Sequence, residues 1–147
     1  MDVILVGLPG SGKSAVGRRL AQRHGASHID LDGIIERQAG RKIPEIFADE
    51  GETGFRARER AAVASLGEPD PGARIQRVVA TGGGAVLDPR NRWLLYRGRV
   101  PIWIDGRPEV LAQRLRRSPV VRPLIGGRDP IGSIRSLAAA RQRFYAA

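Results

Sequence analysis

Residues 7–14 read Gly-Leu-Pro-Gly-Ser-Gly-Lys-Ser, which is a complete G-x-x-x-x-G-K-[ST] phosphate-binding loop. The apolar run at 3–6 precedes the loop and predicts a buried parallel strand. Residues 14–23 follow it and place Val16 and Leu20 on one face of a helix. A glycine-rich turn that matched by chance would lack this context. The motif therefore favours an α/β fold that holds a phosphate where a strand gives way to a helix.

The loop glycines explain how this segment could bind a polyphosphate. Gly7, Gly10 and Gly12 allow backbone conformations that a Cβ would forbid, so that successive N–H groups can turn inward around an anion. Lys13 is expected at the β- and γ-phosphates, and the Ser14 hydroxyl is placed to ligate Mg²⁺. The predicted ligand is ATP with Mg²⁺. The nucleotide-binding residues predicted within the loop are Gly10, Ser11, Gly12, Lys13, Ser14 and Ala15.

Length and cysteine content limit the architecture. A chain of 147 residues is long enough for one three-layer α/β domain over 1–147, but it leaves no room for a separate substrate domain. Any phosphoryl acceptor must therefore bind in the same fold. Without cysteine, neither a disulfide framework nor a thiolate metal site can form. The chain begins directly in its first strand and has no apolar run of membrane-spanning length, so we expect a soluble, cytoplasmic protein that does not bind membranes.

The formal net charge of +10 raises the question of a nucleic-acid partner. Lysine occurs only at 13 and 42, and nearly all the other positive charge is arginine distributed along predicted helices. Aromatic residues are few and do not alternate with the basic ones, so the sequence offers no stacking platform for single strands. We therefore expect no nucleic-acid partner and interpret the charge as attracting small anions.

The rest of the chain alternates strand and helix signals, which predicts a parallel sheet covered on both faces. After the first strand, the predicted strands are 27–29, 77–80 and 100–104. After the phosphate loop, the predicted helices are 31–39, 44–49, 52–66, 88–96, 108–117 and 132–145. Pro101 lies near the start of the last strand, which favours an edge or strand-entry position because proline cannot donate to a neighbouring strand.

Two further motifs follow predicted strands. Asp30 and Asp32 stand at the carboxyl end of the second strand, where open α/β sheets bind ligands. One carboxylate could serve the metal and phosphates and the other the acceptor, although either could simply cap the next helix. Residues 82–84 are three successive glycines, which would let a ligand approach the backbone closely and could also be a plain flexible turn.

Arginines in separate segments and one long loop complete the candidate features. Arg56, Arg122 and Arg141 could clamp a carboxylate or neutralise a transferring phosphoryl group, although in so arginine-rich a chain each could also be a surface residue. The polar, Gly/Pro-rich stretch 118–130 contains Arg122 and is interpreted as a lid over the phosphates. A surface loop without function is the alternative.

These motifs, taken in order and spacing, resemble the shikimate kinase family. The resemblance covers the chain from its first residues to about Tyr145. It rests on Gly7-x-x-Gly10-x-Gly12-Lys13-Ser14-x-x-Gly17-x-x-Leu20-Ala21, Ile29-Asp30-x-Asp32, Ile46-Phe47, Glu52-x-x-Phe55-Arg56-x-x-Glu59, Thr81-Gly82-Gly83-Gly84-Ala85-Val86 and Arg122-Pro123-Leu124.

The resemblance implies a three-layer P-loop kinase fold of the nucleoside-monophosphate-kinase type. Its parallel sheet would have the strand order 2-3-1-4-5, with a helical substrate-binding segment at about 31–60 and a closing lid at about 118–130. The implied fifth strand follows the tyrosine region in the family and is not expected within this chain. The implied reaction moves the ATP γ-phosphoryl group to the 3-hydroxyl of shikimate, in aromatic amino-acid biosynthesis. ATP and shikimate would be the ligands of a monomer.

For the acceptor, the resemblance implies that Asp32 holds the shikimate hydroxyls and acts as the base or orienting group for the attacking one. Arg56 and Arg141 would grip the shikimate carboxylate, and Gly82 and Gly83 would supply backbone contacts. These five positions are the predicted substrate-binding residues.

For the nucleotide, the resemblance implies that Asp30 acts on Mg²⁺ through its hydration shell beside Ser14. Arg122 would close onto the phosphates, and Arg114 would lie against the adenine. Lys13, Asp32 and Arg122 are the predicted catalytic residues, while Ser14 and Asp30 are the predicted metal residues.

Two other interpretations remain open at the level of sequence. One is a related small-metabolite kinase, such as a gluconate kinase, that shares the fold but not the acceptor. The other is an ATP-binding remnant without catalytic activity. The F-R-x-x-E and triple-glycine motifs favour shikimate over gluconate, because they would form the acceptor site rather than the ATP site.

Overall fold

The computed structural model describes residues 1–118 and 129–146 as an α/β fold. Four strands and six α-helices lie along these residues. In chain order they are β1 (Asp2–Val6), α1 (Lys13–His24), β2 (Ser27–Asp30), α2 (Leu31–Ala39), α3 (Ile43–Ala64), β3 (Arg77–Ala80), α4 (Pro89–Tyr96), β4 (Val100–Trp103), α5 (Pro108–Arg117) and α6 (Pro130–Tyr145). A single 3₁₀ turn, Ala85–Leu87, joins β3 to α4.

The strands form one parallel sheet in the order β2-β3-β1-β4. The register places Ile4 of β1 between Val79 of β3 and Pro101 of β4. β1 therefore lies inside the sheet, and all five of its residues are buried. The predicted fold class is confirmed, and the order of the described strands matches the first four positions of the family order 2-3-1-4-5.

The two faces of the sheet bury different residues of β1. Ile4 and Val6 face a large cluster to which α2 through α6 contribute, whereas Val3 and Leu5 face a smaller cluster with Ala21 of α1. This alternation is the period of two that a strand buried on both sides requires. Helices cover both faces, which produces the predicted three layers. Among the described residues, no helix is long and apolar enough to cross a membrane.

β4 is an edge of the sheet among the described residues, as Pro101 predicts. The amide of Ile104, just after β4, donates to the Val6 carbonyl at 2.8 Å. The N–H and C=O groups of successive residues in a strand point to alternate sides. The backbone groups of Ile102 therefore point towards β1, as those of Ile104 do, while the backbone of Pro101 points away from β1. The missing N–H of proline thus lies on the outward side, where it interrupts no bond to β1.

The predicted helices 44–49 and 52–66 correspond to the two parts of α3, which meet in a kink at Gly51, where φ 67° and ψ −173° are not helical. The chain there takes a conformation that a side chain would strain. The 3₁₀ turn at 85–87 was not predicted. Residues 119–128, most of the predicted lid, lie outside the described residues.

An ion cluster ties the amino-terminal ends of the strands together. The Asp2 carboxylate is fully buried and accepts hydrogen bonds from Arg77, at 2.5 and 2.9 Å, and from Arg99, at 3.3 Å. Arg77 also donates to the carbonyls of Leu66 and Glu68, both at 2.7 Å. The Asp2 carboxylate therefore links the start of β1 to Arg77 of β3 and to Arg99 just before β4. Through Arg77 the cluster also reaches the chain after α3.

Asp2→Asn keeps the shape of this side chain and removes its charge. Because the buried Arg99 loses its counter-charge, we expect the free energy of unfolding to fall by about 3 kcal/mol. Burial would raise the pKa of Asp2, but hydrogen bonds and charge from Arg77, with help from Arg99, hold it below its ordinary value of 3.8. The stabilisation is therefore present above that pH and is lost as the pH falls through the lower folded value.

Urea titrations at neutral pH and well below pH 3.8 test this expectation. Glu109→Gln, which removes an exposed ion pair with Arg135, is the matched control and should change stability little. Equal stability of the Asp2 variant and the unmodified chain at neutral pH would contradict the role of the cluster.

Candidate active site

One cleft of about 880 Å³ opens at the carboxyl edge of the sheet. The loops after β1 and β3 and the last residue of β2, Asp30, line one part of it, and α2, α3 and α6 line the rest. Because the strands are parallel, their carboxyl ends must meet at the same edge. The cleft has a phosphate-loop end and an opposite end built from helical side chains.

The phosphate-loop glycines occupy conformations that exclude other residues. Gly7, Gly10 and Gly12 have φ values of 145°, 80° and 98°. A Cβ on Gly7 would lie 2.3 Å from the carbonyl oxygen of Ile104, and a Cβ on Gly10 would lie 3.2 Å from that of Leu111. Backbone oxygens cannot move aside as a flexible side chain could, so the loop curvature depends on glycine at these positions.

Lys13 begins α1 and extends back along the loop. Its ammonium donates to the carbonyls of Gly7 and Leu8, both at 2.9 Å, and the residue is buried. Gly12 caps α1 in a left-handed conformation without a side-chain cap. The helix end therefore carries both its own dipole and a fixed positive charge into the curve of the loop.

Ser14 and Asp30 form the oxygen pair that was predicted for a metal. The Ser14 hydroxyl donates to Asp30 Oδ2 at 2.7 Å, and Asp30 Oδ1 accepts from the Gly33 N–H at 3.4 Å. Asp30 therefore caps α2 and also points one oxygen at the phosphate loop, so the capping and metal interpretations describe the same residue. A hydroxyl and one carboxylate beside a phosphate site fit Mg²⁺, which binds few protein oxygens and completes its shell with phosphate and water.

Asp32 lies in the first turn of α2 and lines the same cleft as the phosphate loop. Gly82, at the end of β3, faces it closely: a Cβ on Gly82 would lie 2.8 Å from Asp32 Oδ1 and 3.1 Å from Glu59 Oε1. A side chain at this position would force the Asp32 carboxylate to move. The predicted contact residues Asp32, Gly82 and Gly83 are thus brought together in one wall of the cleft.

Arg56 is held by carboxylates on its own helix. It donates to Glu59 at 2.8 Å and to Glu52 at 3.2 Å, and its guanidinium lies 5.3 Å from the centre of the Phe55 ring. A Cβ on Gly84 would lie 2.5 Å from Arg56 Nη1. The triple-glycine loop therefore allows this guanidinium to reach the cleft.

Glu59 is the acidic residue of the F-R-x-x-E motif, which the sequence predicts at the acceptor site without a separate role for this carboxyl. Its side chain is 3% exposed, and its Oε1 has no hydrogen-bond partner among the described residues. Burial raises the pKa of Glu59; the charge of Asp32 adds to this effect, while Arg56 and Arg141 oppose it. In the sequence, Glu59 follows Arg56 by three residues, and this spacing predicts that the two side chains lie on one face of a helix and interact.

Arg141 enters the cleft from α6, far from Arg56 in sequence. It is buried, lies in the cleft wall and is close enough to Glu59 to lower the pKa of that carboxyl. Two arginines from different helices therefore face the same end of the cleft, as the sequence predicted. The nearby Tyr145 hydroxyl donates to the Gly83 carbonyl.

The remaining predicted nucleotide-binding residues that the structure describes lie at or beside the phosphate loop. Arg114 Nη1 lies 3.4 Å from the Ser11 carbonyl oxygen, so it contacts the phosphate loop, and its contact with adenine stays a prediction. Ala15 lines the cleft, and Ser11 is buried with its hydroxyl unpartnered among the described residues. Arg122 lies outside the described residues.

The parallel sheet, the phosphate loop and the adjoining cleft define a P-loop kinase. The chain belongs to the shikimate kinase family, whose sequence model matches residues 9–147. It is 50% identical over 147 residues to a shikimate kinase of Symbiobacterium thermophilum, covering 99% of this chain and 82% of that protein. Identity to a shikimate kinase of Parasynechococcus marenigrum is 45% over 145 residues, covering 99% and 73% of the two chains.

Solved structures agree with this assignment. A shikimate kinase from Acinetobacter baumannii, solved in complex with shikimate, has a TM-score of 0.89 and 37% identity over 99% of this chain and 78% of that one. A gluconokinase from Sinorhizobium meliloti has a TM-score of 0.51 and 20% identity over 94% and 73% of the two chains, which shows likeness of fold alone. The gluconate kinase interpretation therefore has much weaker support.

Glu59→Gln should show how much stability the buried Glu59 carboxylate costs the cleft wall near Asp32, Arg56 and Arg141, which we call the acceptor end of the cleft. Because the folded pKa of Glu59 lies above its ordinary value of 4.5, the stability linked to its protonated form is present below that pH and is lost as the pH rises through the folded value. Glutamine cannot ionise. We therefore expect the melting temperature of the variant, relative to the unmodified chain, to rise from acidic to neutral pH.

Thermal denaturation across that pH range measures this difference. Glu52→Gln removes the exposed partner of Arg56 and controls for the loss of a carboxylate from α3. A Glu59 variant that loses relative stability as the pH rises would contradict the expectation.

Proposed function

We propose that this chain transfers the γ-phosphoryl group of ATP to the 3-hydroxyl of shikimate, giving shikimate 3-phosphate and ADP for aromatic amino-acid biosynthesis. The observation that carries the proposal is one continuous cleft with two different ends. One end presents a phosphate loop, and the other presents two arginines and an aspartate. An acceptor that carries both a carboxylate and hydroxyl groups matches the second end.

At the nucleotide end, the loop amides and Lys13 would bind the β- and γ-phosphates of ATP. The lysine already points its ammonium into the loop, at the Gly7 and Leu8 carbonyls, and would exchange these contacts for phosphate oxygens. Arg114 would add positive charge beside the loop, and Arg122 would complete the set from the segment after α5. Loose phosphoryl transfer depends mainly on such positioning and charge.

Ser14 and Asp30 would hold Mg²⁺ at the β- and γ-phosphates. When bound, the ion would neutralise charge that develops on the transferring group. Asp30 would act through water, because its oxygens already bond to the Ser14 hydroxyl and the Gly33 amide. These bonds fix the carboxylate before any nucleotide arrives.

At the acceptor end, Arg56 and Arg141 would bind the shikimate carboxylate, while Gly82 and Gly83 would offer backbone contacts. Asp32 would accept a hydrogen bond from the attacking hydroxyl and take its proton as the new P–O bond forms. The carboxylate contact and the reacting hydroxyl then lie at different places in the cleft, so the two arginines determine orientation rather than chemistry.

A coupled assay for ADP release tests the proposal, with ATP, Mg²⁺ and either shikimate or gluconate as acceptor. We expect release that depends on shikimate and on Mg²⁺ and that is absent with gluconate. Lys13→Met, which keeps an apolar stem without the charge, should abolish release and remain folded. Release that is equal with and without shikimate, or undiminished in the Lys13 variant, would overturn the proposal.

Asp32→Asn and Asp30→Asn should both slow phosphoryl transfer, but with different dependence on the Mg²⁺ concentration. The Asp32 variant should lose kcat by about 10²-fold or more at every Mg²⁺ concentration, because an amide cannot accept the hydroxyl proton. The Asp30 variant should have a raised Mg²⁺ requirement and recover part of its rate as Mg²⁺ increases. Steady-state rates across a Mg²⁺ titration measure both effects, and identical responses would contradict the division of roles.

Arg56→Ala and Arg141→Ala should raise the KM for shikimate and leave nucleotide affinity intact. The loss of a buried charge-assisted pair costs about 2–5 kcal/mol. Arg56→Ala should have the larger effect, since it also leaves Glu59 and Glu52 without their shared partner. The exposed Arg135 provides a control, Arg135→Ala, that should alter neither value. An unchanged shikimate KM, or a collapse of nucleotide Kd, in the Arg56 variant would remove the carboxylate clamp.

A further inference from the structure

The last turn of α6 places a buried hydroxyl against Gly83, a residue of the cleft wall. Tyr145 is 3% exposed, and its hydroxyl donates to the carbonyl of Gly83, 62 residues earlier in the chain. Burial raises the pKa of Tyr145 to about 12, while the charge and hydrogen bonding of Arg141 act in the opposite direction. The hydroxyl is therefore a protonated donor throughout the neutral range.

This bond fixes a peptide unit in the wall of the cleft. The Gly83 carbonyl and the Gly84 N–H belong to one planar group, so a donor on the carbonyl also sets the direction of that amide. The neighbouring carbonyls are held differently: Gly82 accepts from the Ala85 N–H at 3.2 Å and Gly84 from the Leu87 N–H at 3.0 Å. The Gly83 carbonyl is instead anchored from α6 by the Tyr145 hydroxyl.

The same tyrosine also lies beside the arginine of the acceptor site. Arg141 and Tyr145 are four residues apart on α6, so their side chains share one face of the helix. The Tyr145 ring packs against Trp103 at the end of β4, with 6.1 Å between ring centres. The ring is thus supported by the sheet while its hydroxyl holds the glycine loop, and Arg141 extends from the same supported turn.

We propose that Tyr145 is a positioning residue for the acceptor, which holds the Gly82–Gly84 loop and Arg141 in the arrangement that binds shikimate. The inference rests on the proposed function. It predicts that loss of the hydroxyl weakens acceptor binding and leaves nucleotide binding unchanged, because the hydroxyl donates to Gly83 in the loop after β3 and lies on the same helix as Arg141.

Tyr96 provides a matched control, because it too is a tyrosine whose hydroxyl bonds across to another element at the last turn of α6. Its hydroxyl also donates to a backbone carbonyl, that of Phe144, at 2.8 Å. Phe144 and Tyr145 are adjacent, so Tyr96→Phe and Tyr145→Phe each remove a neutral hydrogen bond between the last turn of α6 and a backbone carbonyl or tyrosine hydroxyl. Tyr145→Phe also removes the hydrogen bonding with Arg141. Of the two bonds to carbonyls, only that of Tyr145 reaches the cleft wall. A purely structural role for Tyr145 would make the two variants behave alike.

The experiment compares the unmodified chain, Tyr145→Phe and Tyr96→Phe by steady-state kinetics and by thermal shift with shikimate alone or a non-hydrolysable ATP analogue alone. We expect Tyr145→Phe to raise the shikimate KM roughly threefold to tenfold, the equivalent of one hydrogen bond. It should also reduce the shikimate-induced thermal shift and leave the ATP KM and the analogue-induced shift unchanged. Tyr96→Phe should lower the melting temperature to a similar extent and change no ligand parameter.

A shikimate KM unchanged in Tyr145→Phe, or raised together with the ATP KM, overturns the inference. If Tyr145→Phe does not fold, Trp103→Phe decides: weaker packing on the Tyr145 ring should raise the shikimate KM, and an unchanged value overturns the inference. Trp93→Phe, at an exposed residue of α4, is the control for this second variant. Failure of the proposed function is separately visible, because the unmodified chain would then show no shikimate-dependent ADP release.

Discussion

The site depends on how closely the Gly82–Gly84 loop approaches the phosphate loop, α2 and α3. A Cβ on Gly82 would overlap Asp32, one on Gly83 would lie 2.7 Å from Pro9 of the phosphate loop, and one on Gly84 would overlap Arg56. The loop after β3 therefore brings the phosphate loop, α2 and α3 into van der Waals contact. The phosphate loop and the proposed acceptor residues of α2 and α3 thus line one cleft.

Electrostatics at the two ends of the cleft follow from the same packing. Lys13 and the start of α1 make the phosphate end positive, whereas the acceptor end buries a carboxylate, Glu59, beside Arg56 and Arg141. Burying that carboxylate costs stability, and its hydrogen bond keeps Arg56 in a fixed direction. The ion cluster at Asp2 lies at the other edge of the sheet and supports the fold away from the chemistry.

Local rules explain what could be predicted from sequence. The phosphate loop, the aspartates after β2 and the order of helices and strands depend on glycine geometry, strand-end position and hydrophobic period, all of which are visible within short windows. The Glu59 environment, the Asp2 cluster and the Tyr145 hydroxyl bond could not be predicted in this way, because each joins residues from separate elements. The bend of α3 was anticipated only as a gap between two helices, since a glycine in a helical pattern does not reveal its own φ angle.

Phosphorus NMR of one reaction mixture identifies which acceptor this chain phosphorylates. The mixture contains the chain, Mg²⁺, ATP and equal amounts of shikimate and gluconate, so the two acceptors compete for one cleft. We expect ADP and a single new phosphate monoester signal that couples to the ring proton at the 3-position of shikimate. A signal from phosphorylated gluconate, or inorganic phosphate as the only new product, would contradict the proposed reaction.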